Sequence, residues 1–128
     1  MAFASVEIIQ VLTKIKYPYN INLLTQKQAL RALQGHEQVC NWVQTLLSER
    51  KNLVKELYKL RIIKHIYPTD ANFVLVKVDD ANAVYQYLVT KSIIVRNRNT
   101  VSLCMGCIRI TVGTKEENAL LIKNLQQF

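Results

Sequence analysis

Apolar residues along this chain change their spacing near residue 60, from a helical period to strand-like runs. Behind Ser5, a residue suited to capping, Val6, Ile9 and Thr13 recur at helical spacing, which predicts a short first helix from Val6 to Lys14. Tyr17-Pro18-Tyr19-Asn20-Ile21-Asn22 follows. Its proline has no amide hydrogen to give a helix and its asparagines suit turns, so this stretch reads as an extended crossing. From Thr25 to about Lys59 the apolar residues Leu30, Leu33, Cys40, Val43, Leu47, Val54, Leu57 and Leu60 return at intervals of three and four. As a single rod this segment is ~50 Å long at ~1.5 Å per residue, more than a small domain covers. The pattern therefore predicts a break at Gly35 and a further helix from there to about Lys59. His36 beside the break reads as a helix-start or solvated side chain rather than a catalyst.

Beyond residue 60 the β-branched content rises. Ile62 to Ile66 and Asn72 to Val78 read as strands, and the short link Tyr67-Pro68-Thr69-Asp70-Ala71 makes them antiparallel neighbours. Phe73-Val74-Leu75-Val76 is uninterrupted, which puts that strand inside the sheet. Asp79 or Asp80 then caps a helix with inner stripe Ala81, Val84 and Leu88, ending near Lys91. A third strand is expected at residues 93–96, a polar excursion from Asn97 to Cys104, and a last strand from Cys107 to Val112. Thr114-Lys115-Glu116-Glu117 has the form of a capping box, so a closing helix should run from Lys115 to about Gln127 with Leu121, Leu125 and Phe128 inward. The sum is a two-layer α/β (α+β) domain. Its mainly antiparallel sheet has one face covered by the long helical hairpin and the closing helix.

Composition narrows the functions open to such a domain. Half of the 128 residues are hydrophobic, enough for a real core, and the formal charge of +8 favours acidic ligands in general. The positive residues are scattered and no aromatics interleave with them, so no nucleic-acid partner is expected. Cys40, Cys104 and Cys107 are too few for a secreted disulfide framework, which points to a reducing compartment. Cys104-Met105-Gly106-Cys107 has thiol-site spacing, but a zinc site needs two more ligands and a redox pair normally opens a helix, so these read as core or loop thiols. No run reaches membrane-span length and Met1-Ala2-Phe3-Ala4-Ser5 lacks a signal peptide's basic start, so a cytoplasmic protein without a membrane partner is expected. The apolar start also reads as a chain cut inside something larger.

One residue carries chemistry. Arg109 is permanently charged inside Ile108-Arg109-Ile110-Thr111-Val112, a strand partly buried in a core. Such an arginine most often meets an internal carboxylate, yet its planar fork also suits the carboxylate or phosphate of a small ligand. Arg96 ends the run Ile93-Ile94-Val95, so two strands can each deliver one guanidinium to a common pocket.

Ala2-Phe3-Ala4-Ser5, Tyr19-Asn20-Ile21-Asn22, Asp70-Ala71-Asn72-Phe73, Ile94-Val95-Arg96, and Cys107 to Thr114 followed by Glu116-Glu117-Asn118 stand in order along nearly the whole chain. In these motifs the chain resembles the C-terminal small domain of histidinol-phosphate aminotransferases, pyridoxal-phosphate enzymes of the aspartate-aminotransferase fold type. The resemblance implies a small domain over residues 1–128, with 1–24 as interdomain helix and crossing. A preceding large domain would hold pyridoxal phosphate and the Schiff-base lysine, and the full-length enzyme would be a homodimer. No lysine here is then catalytic, and the chain alone holds no cofactor and is inactive. Arg109 is implied to receive the substrate's anionic group, with Arg96 as its partner on the phosphate of histidinol phosphate, while Tyr19, Asn20 and Asn22 line the pocket wall. The same site would accept glutamate in the other half-reaction. The chain departs from the family at Tyr17, where a proline is usual, and at Ser92, where a glycine usually ends the helix. Related aromatic aminotransferases and phosphothreonine decarboxylases share the architecture, and a stand-alone anion-binding module remains an alternative.

Overall fold

The computed structural model of the chain describes residues 3–17 and 21–128. It forms two compact units, Met1–Val39 and Cys40–Phe128. The first holds α1 (Val6–Ile15) and α2 (Leu23–Gln34). Ser5 stands at the cap position of α1 in extended conformation, but its side chain makes no capping bond. Asn22 does cap α2, its Oδ1 accepting from the Thr25 amide at 2.8 Å. Gly35 separates α2 from α3 (His36–Leu57), and its amide closes a last turn on the Ala32 carbonyl at 3.1 Å. Break and helix start thus fall where the period predicts them.

The predicted apolar stripe is buried only at its far end. Leu53, Leu57 and Leu60 enter the core, whereas Leu30, Leu33, Cys40, Val43 and Leu47 are exposed. Periodicity reports which side chains share a face; burial needs an opposing surface as well.

In the second unit β1 (Ile63–Ile66), β2 (Phe73–Val78), β3 (Arg96–Asn97) and β4 (Cys107–Thr111) make one sheet in the order β1-β2-β4-β3, antiparallel throughout. β2 is interior, as its uninterrupted apolar run implies. Opposite pairs Val74↔Ile110 and Val76↔Ile108 are fully buried and meet Leu53, Leu57, Val84, Leu88, Leu121 and Leu125 in a single core. The helices α3, α4 (Ala81–Thr90) and α5 (Lys115–Gln127) supply those partners. α4 therefore belongs to the covering layer, which the sequence pattern assigned to the hairpin and the closing helix alone. α2 belongs to the other unit.

Local chemistry fixes where α4 and α5 begin. Asp80 Oδ1 accepts from the amides of Asn82 at 2.9 Å and Ala83 at 3.0 Å. Thr114 and Glu117 form the reciprocal capping box, with Glu117 Oε2 accepting from the Thr114 amide at 2.8 Å. A Cβ on Gly113 would stand 2.6 Å from that Oε2, so the box requires glycine there. Buried Asn118 ties the turn together: its Oδ1 accepts from the Gly113 amide at 3.0 Å, and its Nδ2 donates to the Gly113 carbonyl and to Glu49 of α3. Leu121 and Leu125 point inward as expected, but Phe128 stays 47% exposed, its ring tilted against Tyr87 at 5.2 Å.

The third strand needs correction. Residues 93–95 are not a strand; β3 covers only Arg96 and Asn97. The reason lies at the end of α4, where Ser92 is left-handed at φ 58°. Its amide donates to Val89 O, and the next amide, of Ile93, reaches back to Leu88 O, both at 2.9 Å. This is a Schellman turn built on serine instead of glycine. The chain leaves it over Ile93 and Ile94 before Val95 reaches the core, and only then does the ladder start. Ser92→Gly removes the Cβ penalty of that conformation. The expected gain is about 1 kcal/mol, read as a higher urea midpoint at unchanged slope.

Candidate anion-binding site

Strand alternation sends the residues of β4 to opposite sides. Ile108 and Ile110 go to the core, while Cys107, Arg109 and Thr111 go to the face without helices. The pairing register places Leu75 opposite Arg109 on one side and Arg96 opposite Arg109 on the other. The two arginines are thus direct cross-strand neighbours, at a Cα separation of roughly 5 Å for such pairs. Like charges so placed repel. No carboxylate among the described residues pairs with either one; Glu56 pairs with Lys59 and Asp79 with Lys64. The internal-carboxylate reading of Arg109 therefore has no partner in the described structure.

Arg109 is half-buried, and its Nε is buried with no hydrogen-bond partner among the described residues. Its guanidinium carbon lies 4.9 Å from the centre of the Phe73 ring, on the same face of β2. Next to this group Lys77 is exposed, His65 packs edge-on against Tyr67 at 4.6 Å, and Cys107 is buried. Negative charge on the Cys107 thiol opposes a second charge on the Tyr67 phenol, and desolvation and a hydrogen bond to Cys107 add to the effect, so the phenol is held above its ordinary pKa. The thiols of the Cys104–Cys107 motif thus sit in a loop-to-strand turn beside the arginine face, with the Cys107 amide donating to the Cys104 carbonyl at 2.9 Å.

Of the residues the sequence singles out, Arg96 and Arg109 come together. Asn22 belongs to the first unit, where its side chain is engaged in capping α2. Tyr19 and Asn20 lie outside the described residues. The sequence pattern places Phe73 only in a strand core; its contact with Arg109 depends on the pairing register, which the alternation along either strand alone does not give. Pyridoxal phosphate does not fit what is present. A Schiff-base lysine works desolvated, and every described lysine is exposed. No group of acids, cysteines and histidines suited to a metal occurs among the described residues, and no described helix is long and apolar enough to cross a membrane.

An antiparallel sheet with helices on one face and two cross-strand arginines on the other defines an α/β domain with a cationic open face. The model of the family "Aminotransferase class I and II" matches residues 1–125, and the chain belongs to that family. It is 50% identical over 128 residues to the histidinol-phosphate aminotransferase of Bacteroides thetaiotaomicron, covering all of this chain but 37% of that protein. Among solved structures it superimposes on the histidinol-phosphate aminotransferase of Clostridium acetobutylicum with a TM-score of 0.86 at 23% identity, over 94% of this chain and 37% of the other. The L-threonine-O-3-phosphate decarboxylase of Porphyromonas gingivalis gives 0.77 at 20% identity, over 98% and 39%. The chain thus spans little more than a third of the proteins it resembles, and the fold is that of an aminotransferase small domain.

With no internal acid to lose and a like charge opposite, Arg109→Leu is expected to change the unfolding free energy of the 128-residue chain by about 1 kcal/mol or less. Urea melts read this directly. A loss above about 3 kcal/mol would reveal a structural ion pair.

Proposed function

We infer that residues 1–128 are the C-terminal small domain, with 1–24 as interdomain helix and crossing, of an aminotransferase in histidine biosynthesis. The enzyme converts histidinol phosphate and 2-oxoglutarate to imidazole-acetol phosphate and glutamate. The observation that carries this reading is the cross-strand pair Arg96 and Arg109, two forked cations with no acid partner among the described residues. A phosphate ester bears up to two negative charges, which two guanidiniums match with paired charge-assisted bonds; a carboxylate substrate uses the same donors. The 50% identity to a protein of that name supports the substrate assignment.

In this reading the chain's own task is to bind and orient. Arg109 and Arg96 take the distal anion, which leaves the amine free to face the chemistry. Pyridoxal phosphate, held by a preceding large domain with its lysine, supplies the electron sink for amino transfer. The full-length enzyme is a cytoplasmic homodimer.

Two measurements test this. In the full-length enzyme Arg109→Leu is expected to lower kcat/KM for histidinol phosphate by roughly 30-fold to a few thousand-fold, the equivalent of losing about 2–5 kcal/mol from a desolvated charged contact. A substrate panel run beside it decides identity. Preference for an aromatic amino acid, or decarboxylation of L-threonine O-3-phosphate as in the decarboxylase of the same fold, would overturn the assignment. The 128-residue chain alone, incubated with pyridoxal phosphate and reduced with borohydride, is expected to show no stoichiometric label on one lysine by mass analysis. Stoichiometric labelling with turnover would contradict a purely substrate-binding role for this segment.

A further inference from the structure

Arg109 is fixed at its backbone and weakly held at its charge. The strand β4 lies between β2 and β3, so its Cα position follows from two ladders. Its guanidinium has no such anchor: Arg96 stands directly opposite and repels it, no carboxylate among the described residues meets it, and Nε lacks an acceptor there. The attractive contact the structure gives this charge is with Phe73, 4.9 Å from guanidinium carbon to ring centre and inside the ~6 Å range of a cation–π interaction.

Phe73 is itself firmly placed. It pairs with Thr111, one strand position beyond the Leu75–Arg109 pair on the same face. Its carbonyl accepts from Thr69 Oγ1 at 3.0 Å, and that oxygen in turn accepts from the Ala71 amide at 3.1 Å, so the turn before β2 clamps the residue carrying the ring.

We propose that Phe73 is a positioning residue, whose ring holds the Arg109 guanidinium at the angle in which it receives the substrate's anionic group. This rests on the reading that Arg109 meets that anion. The physical advantage of an aromatic neighbour is that it does not compete. A guanidinium's donors all lie in its plane, and an acid or carbonyl partner would consume some of them. A ring attracts the cation through its π face and leaves the in-plane N–H groups for the ligand. The buried Nε–H is closed to a ligand, so the terminal N–H groups are the donors left for an oxyanion. The ring also offsets part of the push from Arg96, which otherwise drives the two forks apart and away from a common phosphate.

The test uses the full-length enzyme and separates charge recognition from bulk packing. Phe73→Leu, which keeps apolar volume but has no quadrupole, is expected to raise KM for histidinol phosphate roughly 3- to 10-fold with kcat within about 2-fold, and Phe73→Tyr to restore the parent KM. Fluorinated phenylalanines introduced at position 73 keep the ring's outline while draining its π face, so KM should climb stepwise with fluorine number even if the leucine variant folds poorly. A flat fluorine series, or a leucine variant that loses melting temperature and kcat at unchanged KM, overturns the proposal. Arg109→Leu is measured in parallel. If it leaves KM unaltered, the anion-binding reading itself fails; if it is crippling while the Phe73 series is flat, only the positioning role fails.

Discussion

The ladder between β2 and β4, from Phe73↔Thr111 to Lys77↔Cys107, determines what each face of the sheet presents. Side chains alternate with a period of two, so this register sends Val74, Val76, Ile108 and Ile110 into the core and Phe73, Leu75 and Arg109 to the other side. A slip of one residue would bury Arg109 among leucines and expose the valines, at the cost of an uncompensated buried charge. Core and site are therefore two readings of one pairing. The hydrophobic pressure that holds the register is also what keeps the arginine at the surface of the sheet.

The helices on the buried face secure that register from outside. β4 runs straight into the Gly113–Thr114 turn, where the capping box and Asn118 hold its end against α5 and, through Glu49, against α3. Arg109 is thus on a strand fixed at its edges by two ladders and at its end by a polar clasp. Its orientation is a different matter, since no hydrogen bond to the described residues fixes the fork.

Much of this was legible in sequence where the cause is local. Asp79-Asp80, of which the structure uses Asp80, and Thr114 announce helix starts because a cap is made by a residue and its near neighbours, and Ala81, Val84 and Leu88 mark the inner stripe of α4 because they repeat on one face. The interior place of β2 followed from its unbroken apolar run. Non-local causes stayed hidden. Ser92 was recognised as an unusual residue for a left-handed turn, but how many residues that turn would take from β3 was not, so the strand was expected too early. The stripe from Leu30 to Leu47 had the right period, yet periodicity does not say what lies opposite. The convergence of Arg96 and Arg109 was expected, while the ring beneath Arg109 was not, because it comes from the neighbouring strand.

The brevity of β3 gives the two arginines unequal mechanical standing. Arg109 belongs to an interior strand; Arg96 belongs to a two-residue edge, the least secured part of the sheet. Local opening of such an edge costs far less than global unfolding, and the repulsion between the paired cations favours it. On the proposed reading, an anion bridging the two forks would reverse that balance, because it would bind the closed edge and not the open one and stabilise it according to ligand concentration over affinity. On that reading one jaw is stationary and the other is a short edge that the ligand would hold shut, so that capture of the anion and retention of the sheet's last strand would be one thermodynamic event.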